Sequence, residues 1–298
     1  MDQIKNPSIT LKRQLNYREY EDIKSLREYC VKNDNVTLKL ELDYKLSKPL
    51  DKSENLNKIN EFMFYDEDML IGYIGICQFG GETLEVNGMV HPEYRRKGVF
   101  SKLFSLVKEE WHKRNSRDMY LLSDNKSLPG LEFIKRTGAY YDNSEYEMFL
   151  NGDPRNGSDL TELRLRKAIN KDVKEIARQN AIYFDVDPEK VDLILPEDEA
   201  NSGVDIYIAE FEKTIIGKIH LEVSDGIGGI YGLGVLPEYR NRGYGREILI
   251  KSVELLKAKK MNEIMLQVAV KNKNALGLYK SCGFEEASMM NYYKLSKE

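Results

Sequence analysis

Hydrophobic and polar residues along this chain change period repeatedly, and the changes come in the same order twice. In the later stretch, residues 162–168 alternate as an opening strand. Residues 172–183 carry the wider spacing of a helix, with Asn170 as its candidate N-cap. An acidic, irregular stretch follows over 185–203, with a short helix expected after Pro188. Strand-like runs come next at 204–211, 215–223 and 229–235, then an amphipathic helix over 246–260. A buried strand over 263–270, a short helix over 274–281 stopped by Gly283, and a strand over 289–295 complete the pattern.

The earlier stretch predicts a helix over 19–30, strands over 61–65, 69–79 and 83–90, a helix over 99–114, a strand over 119–123 and a helix over 128–136. Residues 36–44 alternate like a strand that has no counterpart later, and 45–60 read as a polar loop. Pro92 and Pro237 lie 145 residues apart, and so do Gly138 and Gly283. The chain is therefore read as an internal duplication. The Gly-, Pro- and Asn-rich residues 151–159 mark the boundary, which predicts two domains, 1–152 and 153–298. Each is long enough for its own core.

Composition narrows the class. Hydrophobic residues make up 41% and charged residues 32% of the chain, an ordinary soluble balance. A net charge of −4 gives no general attraction to nucleic acid or to an anionic membrane surface. No run approaches the roughly 18 apolar residues of a membrane helix, and the N-terminal residues carry no apolar signal segment. Three scattered cysteines, Cys30, Cys77 and Cys282, fit a reducing, cytoplasmic setting. With only three histidines, no metal site is expected.

The chemistry concentrates where a strand-like run meets a helix. Residues 236–245 read Leu-Pro-Glu-Tyr-Arg-Asn-Arg-Gly-Tyr-Gly between the strand over 229–235 and the helix that follows. Free N–H groups at such a helix start, with glycines that admit close approach, form an anion site. Arg240 and Arg242 add positive charge suited to a phosphate. Residues 91–100, His-Pro-Glu-Tyr-Arg-Arg-Lys-Gly-Val-Phe, are the earlier copy.

Gly234–Gly245 and a second block, Asn272–Phe284, together resemble the GNAT superfamily of acyl-CoA-dependent N-acetyltransferases. The resemblance covers 160–298, and a divergent form of it covers about 60–150. It implies an α/β fold of two tandem domains, each a twisted mixed sheet flanked by helices, with two central parallel strands splayed apart. Here those strands are 229–235 and 263–270. It also implies that the amides of Arg242, Gly243, Tyr244 and Gly245, with Arg240, Asn241 and Asn272 nearby, hold coenzyme A. The strand edge from Leu233 to Val235 would pair with the pantetheine arm. The Val235 N–H would then face the thioester carbonyl of acetyl-CoA and stabilise the oxyanion formed when an amine attacks. Tyr279 matches the tyrosine that protonates the departing thiolate and also touches the coenzyme; a phenol is protonated at neutral pH. The general base stays open among Tyr231, Glu222 and His220.

The earlier copy departs from the family pattern. Phe100 stands at the position of Gly245, Ile134 at that of Tyr279, and Pro129-Gly130 at that of Asn274-Ala275. Arg95, Arg96, Lys97 and Gly98 remain, so backbone and charge for a coenzyme persist there without the acid. Catalysis is accordingly expected in the later domain, with a structural or substrate-shaping first domain. The expected acceptor is a small-molecule or peptide amine, and acidic residues over 185–199 suit a cationic one. The chain is expected to be a monomer or homodimer. A coenzyme A-binding sensor without catalysis is the competing reading. Aminoacyl transfer from tRNA, as in Fem-type tandem enzymes, fits less well with the full turn and acidic charge.

Overall fold

The computed structural model describes residues 4–47, 58–79, 83–154, 162–224 and 226–297. The chain divides into two compact units, Met1–Ser144 with Ser288–Glu298, and Glu145–Ala287.

The first unit runs β1 (Pro7–Lys12), α1 (Tyr17–Asp34), α2 (Leu42–Ser47), β2 (Glu61–Asp66), β3 (Met69–Cys77), β4 (Leu84–Val90), α3 (Val99–His112), β5 (Asp118–Asp124) and α4 (Leu128–Thr137). Asn16 starts α1 with a reciprocal capping box to Glu19, and left-handed Asn35 ends it. Strands β1 to β4 pair antiparallel in sequence order, and β4 pairs parallel with β5 over Leu84–Val86 and Met119–Leu121. One core cluster packs α3 and α4 on this sheet through Leu103, Val107, Trp111 and Ile134. A separate cluster packs α1 on it through Ile23, Leu26 and Cys30.

After β6 (Tyr140–Leu150) come β7 (Arg164–Lys167), α5 (Val173–Phe184), α6 (Pro196–Asn201), β8 (Val204–Phe211), β9 (Thr214–Ser224), β10 (Ile227–Val235), α7 (Tyr244–Ala258), β11 (Glu263–Ala269), α8 (Lys273–Ser281) and β12 (Phe284–Ser296). In the second unit β7, β8, β9 and β10 pair antiparallel in order, and β10 pairs parallel with β11. The main core joins Ile248, Leu249, Val253 and Leu256 of α7 to the strands, while Ile176 of α5 joins a second cluster with Ile206 and Ile208.

Two expectations are corrected. Residues 36–44 form no strand. Val36, Leu40 and Leu42 are buried, but Thr37 gives its N–H and hydroxyl to Asp124, and Leu42 begins α2. Alternation reports one-sided burial, which an irregular segment also achieves. Most of the predicted loop over 45–60, and part of 151–159, lie outside the described residues.

The boundary expected between 152 and 153 differs from the division in the structure, because the closing strands are exchanged. Residues 145–149 of β6 pair with β11 in the second unit, and residues 290–296 of β12 pair with β5 in the first. Hydrophobic pattern marks a strand but not the sheet it joins. A chain ended at Ala287 would expose the edge of β5 and lose buried Met290 and Tyr292, side chains worth about 1.5–3 kcal/mol each. We expect selective loss of hydrogen-exchange protection in β4 and β5, with β10 and β11 still protected. Unchanged protection of β5 would contradict the exchange.

Candidate active site

Strands β10 and β11 pair only from Ile227–Ile230 to Glu263–Leu266. Beyond that point β10 continues to Val235 and β11 to Ala269 without pairing each other, so a gap opens between two parallel strands. The parting starts at a bulge. Tyr231 pairs with His220 and Gly234 with Lys218, so Gly232 and Leu233 face Ile219 alone. Gly232 sits at φ +55, a conformation that a β-carbon disfavours.

The direction of the amides follows from one hydrogen bond. Leu236 donates its N–H to the Ile216 carbonyl at 2.8 Å, toward β9. Alternate residues of a strand point their N–H groups to opposite sides, so those of Val235 and Leu233 face the gap.

Below the gap, a 3-10 turn over Pro237–Tyr239 leads into α7. Arg240, exposed, buttresses the turn: its Nε donates to the Val235 carbonyl at 2.8 Å. Asn241, Arg242 and Gly243 are exposed. Asn241 has φ 59, and Gly243, at φ 85, is the N-cap of α7 with no side chain bonded to the helix start. The Tyr244 side chain is buried against Phe211 at 5.0 Å, so only its amide is available to a ligand. A β-carbon on Gly245 would already stand 3.4 Å from Leu278. An uncapped helix start with exposed glycine backbone fits a diphosphate.

On the other side of the gap, Asn272 caps α8 by accepting the Ala275 N–H at 3.2 Å, which occupies its side-chain oxygen. Tyr279, 8% exposed, packs at the edge of the main core with its ring 6.3 Å from that of Phe284. Its hydroxyl has no hydrogen-bond partner among the described residues, and burial raises its pKa to about 12. It is therefore a firmly protonated donor across the working pH range.

The three candidates for the base are placed differently. The Tyr231 ring folds back over Gly229 and its hydroxyl meets the Met265 sulfur at 3.5 Å. Glu222 lies opposite Gly229, a full pleat beyond His220 and farther from the bulge. His220 lies at the bulge, with Nε2 3.0 Å from Lys218 Nζ. Lys218 is the residue that sequence reasoning missed. It is fully buried, also meets the Gly232 carbonyl at 3.4 Å, and stands 5.8 Å from the centre of the Tyr183 ring of α5. Desolvation lowers its pKa to about 8. Desolvation and then the Lys218 charge lower that of His220 to about 3. The signal available in the sequence was a lysine inside a central strand, where both faces are covered.

The first unit repeats the frame and changes the chemistry. Its turn has the same backbone: Arg96 at φ 62, Gly98 at φ 82, and Arg95 Nε on the Val90 carbonyl at 3.1 Å. A cavity of about 410 Å³ opens there, lined among others by Val90, Arg96, Gly98, Phe100, Phe133 and Ile134. Phe100 turns onto Phe133, with ring centres 4.6 Å apart. Strands β3 and β4 pair without a bulge. Tyr73, at the position of Lys218, donates to Glu61, which also accepts from buried Lys45 at 2.9 Å.

Residues 171–284 match the model of the acetyltransferase (GNAT) family. An N-alpha-acetyltransferase of Sulfurisphaera tokodaii is 28% identical over 153 residues, 44% of this chain and 86% of that protein. A mycothiol acetyltransferase of Rhodococcus opacus is 25% identical over 247 residues, 74% of this chain and 77% of that one. The fold of a tandem GNAT protein from the clavulanic acid biosynthesis pathway superposes with a TM-score of 0.72 at 12% identity, covering 98% of both chains. The family generally uses acetyl-CoA and acylates small molecules or peptides. Among the described residues no helix is long and apolar enough to cross a membrane. The splayed parallel strands, the glycine turn under the gap and Tyr279 all lie within residues 171–284, the part of the chain that matches the GNAT acetyltransferase family, and this match supports an acyltransferase.

Proposed function

We propose that the second unit transfers an acetyl group from acetyl-CoA to the amine of a small-molecule or peptide acceptor by direct attack. The observation that carries this reading is the bulged, parted end of β10 above an uncapped α7, with the unpartnered hydroxyl of Tyr279 on α8, the helix that follows β11. Acetyl-CoA supplies the activated acetyl thioester.

The amides of residues 242–245 hold its pyrophosphate at the positive end of α7. The gap-facing amides of Leu233 and Val235 align the pantetheine arm as an added strand would be aligned. The Val235 N–H stabilises the negative charge that develops on the carbonyl oxygen. Tyr279 hands its proton to the leaving sulfur. Holding amine and thioester together contributes about 7–11 kcal/mol to lowering the barrier.

The first unit supports a different reading of its own half: coenzyme binding without catalysis. It has the cavity and the turn but neither the bulge nor the tyrosine. A panel of amines, scored by acetyl-CoA-dependent thiol release, tests the main reading. Release with at least one amine class and mass gain of that amine by one acetyl group are expected. Tight acetyl-CoA binding with no amine acetylated would favour the sensor reading for the whole chain.

A further inference from the structure

Lys218 and His220 stand together at the bulge, where β10 parts from β11, and no carboxylate among the described residues is paired with them. The side chains that contact them are apolar or uncharged, while Arg240, Glu175, Arg178 and Glu238 act on the Tyr183 hydroxyl beyond. Strand β8 presents Ile208 opposite Lys218 and Ile206 opposite His220, both buried. Helix α5 presents Tyr183, whose hydroxyl is turned to Gln179 at 2.9 Å. A side chain at Gly234 would collide with that ring, so Tyr183 covers the same face. Strand β10 presents Tyr231, bonded to Met265, and the Gly232 backbone. Glu222 lies two residues along β9. No carboxylate among the described residues contributes to the Lys218 shift, and Lys218 is the one charge that acts on His220.

At the matching place in the first unit, the buried lysine has a glutamate. A buried ammonium without a carboxylate costs folding free energy, so its retention calls for a use. His220 is partly exposed, and its Nδ1 has no protein partner among the described residues. The ring thus meets the buried lysine through Nε2 and leaves Nδ1 open at the bulge.

We infer that Lys218 and His220 form a proton relay that deprotonates the acceptor amine, with His220 Nδ1 touching the acceptor and Lys218 holding the proton. This rests on the transferase reading above. In the base form, Lys218 is neutral and accepts a hydrogen bond from His220 Nε2–H, which leaves Nδ1 as an open acceptor. As the acceptor nitrogen bonds to the acetyl carbon, its proton passes to Nδ1 and the Nε2 proton passes to Lys218 Nζ. The C–S bond breaks, and the sulfur takes the Tyr279 proton. The relay then runs back, the ammonium proton passing to Nε2 as Nδ1 gives its proton to solvent, and Tyr279 recovers one, so the net products are the acetylated amine and the free thiol.

The imidazole changes tautomer but never becomes an imidazolium. The strength of the base is that of Lys218, whose pKa near 8 suits an amine acceptor at neutral pH.

The test uses the full chain with bound acetyl-CoA, labelled at the imidazole nitrogens. Wild type is expected to show His220 with Nδ1 protonated below about pH 8 and Nε2 protonated above it, without charging between pH 5 and 7. Lys218→Arg keeps the positive charge but cannot release a proton, and Lys218→Met removes both. Each should lose the tautomer change. Each should also lower thiol release with an accepted amine by about 10²–10⁴-fold and lose the rise in rate that ends near pH 8. A merely structural cation would be replaced by arginine. A Lys218→Arg chain with the wild-type rate and pH profile would overturn the relay, as would a wild-type His220 that charges between pH 5 and 7. The imidazole signals need no acceptor, whereas failure of the transferase reading shows as absence of thiol release with every amine.

Discussion

A Tyr279→Phe chain is expected to turn over about 10²–10⁴-fold more slowly than wild type, with acetyl-CoA affinity little changed. The hydroxyl has no partner among the described residues, so its removal orphans nothing in the core. The ring still packs beside Phe284, which keeps α8 in place. What disappears is the proton for the leaving sulfur. The loss should fall on kcat and kcat/KM together, the mark of an interaction made in the transition state. It should shrink with an acyl donor whose thiol is more acidic. Because burial raises the phenol pKa to about 12, no alkaline limb from Tyr279 is expected below pH 10. A Tyr279→Phe chain with wild-type kcat, where chemistry limits the rate, would remove this residue from the mechanism.

Gly243→Glu should abolish acetyl-CoA binding to the second unit. Two effects combine. Gly243 sits at φ 85, where any side chain costs about 1–3 kcal/mol of strain. The added carboxylate would also occupy the uncapped start of α7 and repel a diphosphate there. Gly243→Ala carries the strain without the charge and separates the two effects: it should bind more weakly than wild type but far better than the glutamate variant. Calorimetry gives both affinities. With an accepted amine, Gly243→Glu should show no residual turnover, since the first unit lacks both a bulge on β4 and a tyrosine at Ile134. Retained turnover would move the chemistry to the first unit.

The two turns were legible in the sequence because their chemistry is written in backbone requirements. Glycine at 98 and 243 marks left-handed positions, and a strand before and a helix after complete the anion site. The parallel strands and their parting followed from the family resemblance carried by two spaced blocks. Other features were hidden because they depend on partners distant in the chain. Arg240 also buttresses its turn through Nε on the Val235 carbonyl, and Asn272 also caps α8, roles that residue type alone does not announce. Lys218 drew no reading from the sequence, because nothing in the pattern of β9 says that the strand is covered on both faces at this position. The exchange of β6 and β12 was invisible for a similar reason, since strand pattern specifies a face and not a neighbour.

A crystal structure of the chain grown with acetyl-CoA tests the central claim most directly. The account predicts coenzyme in the gap between β10 and β11, its pyrophosphate on the amides of residues 242–245. The acetyl oxygen should lie within hydrogen-bond distance of the Val235 N–H, and the sulfur within reach of the Tyr279 hydroxyl. Coenzyme bound in the first-unit cavity, with the gap beside β10 left empty at saturating concentration, would contradict it.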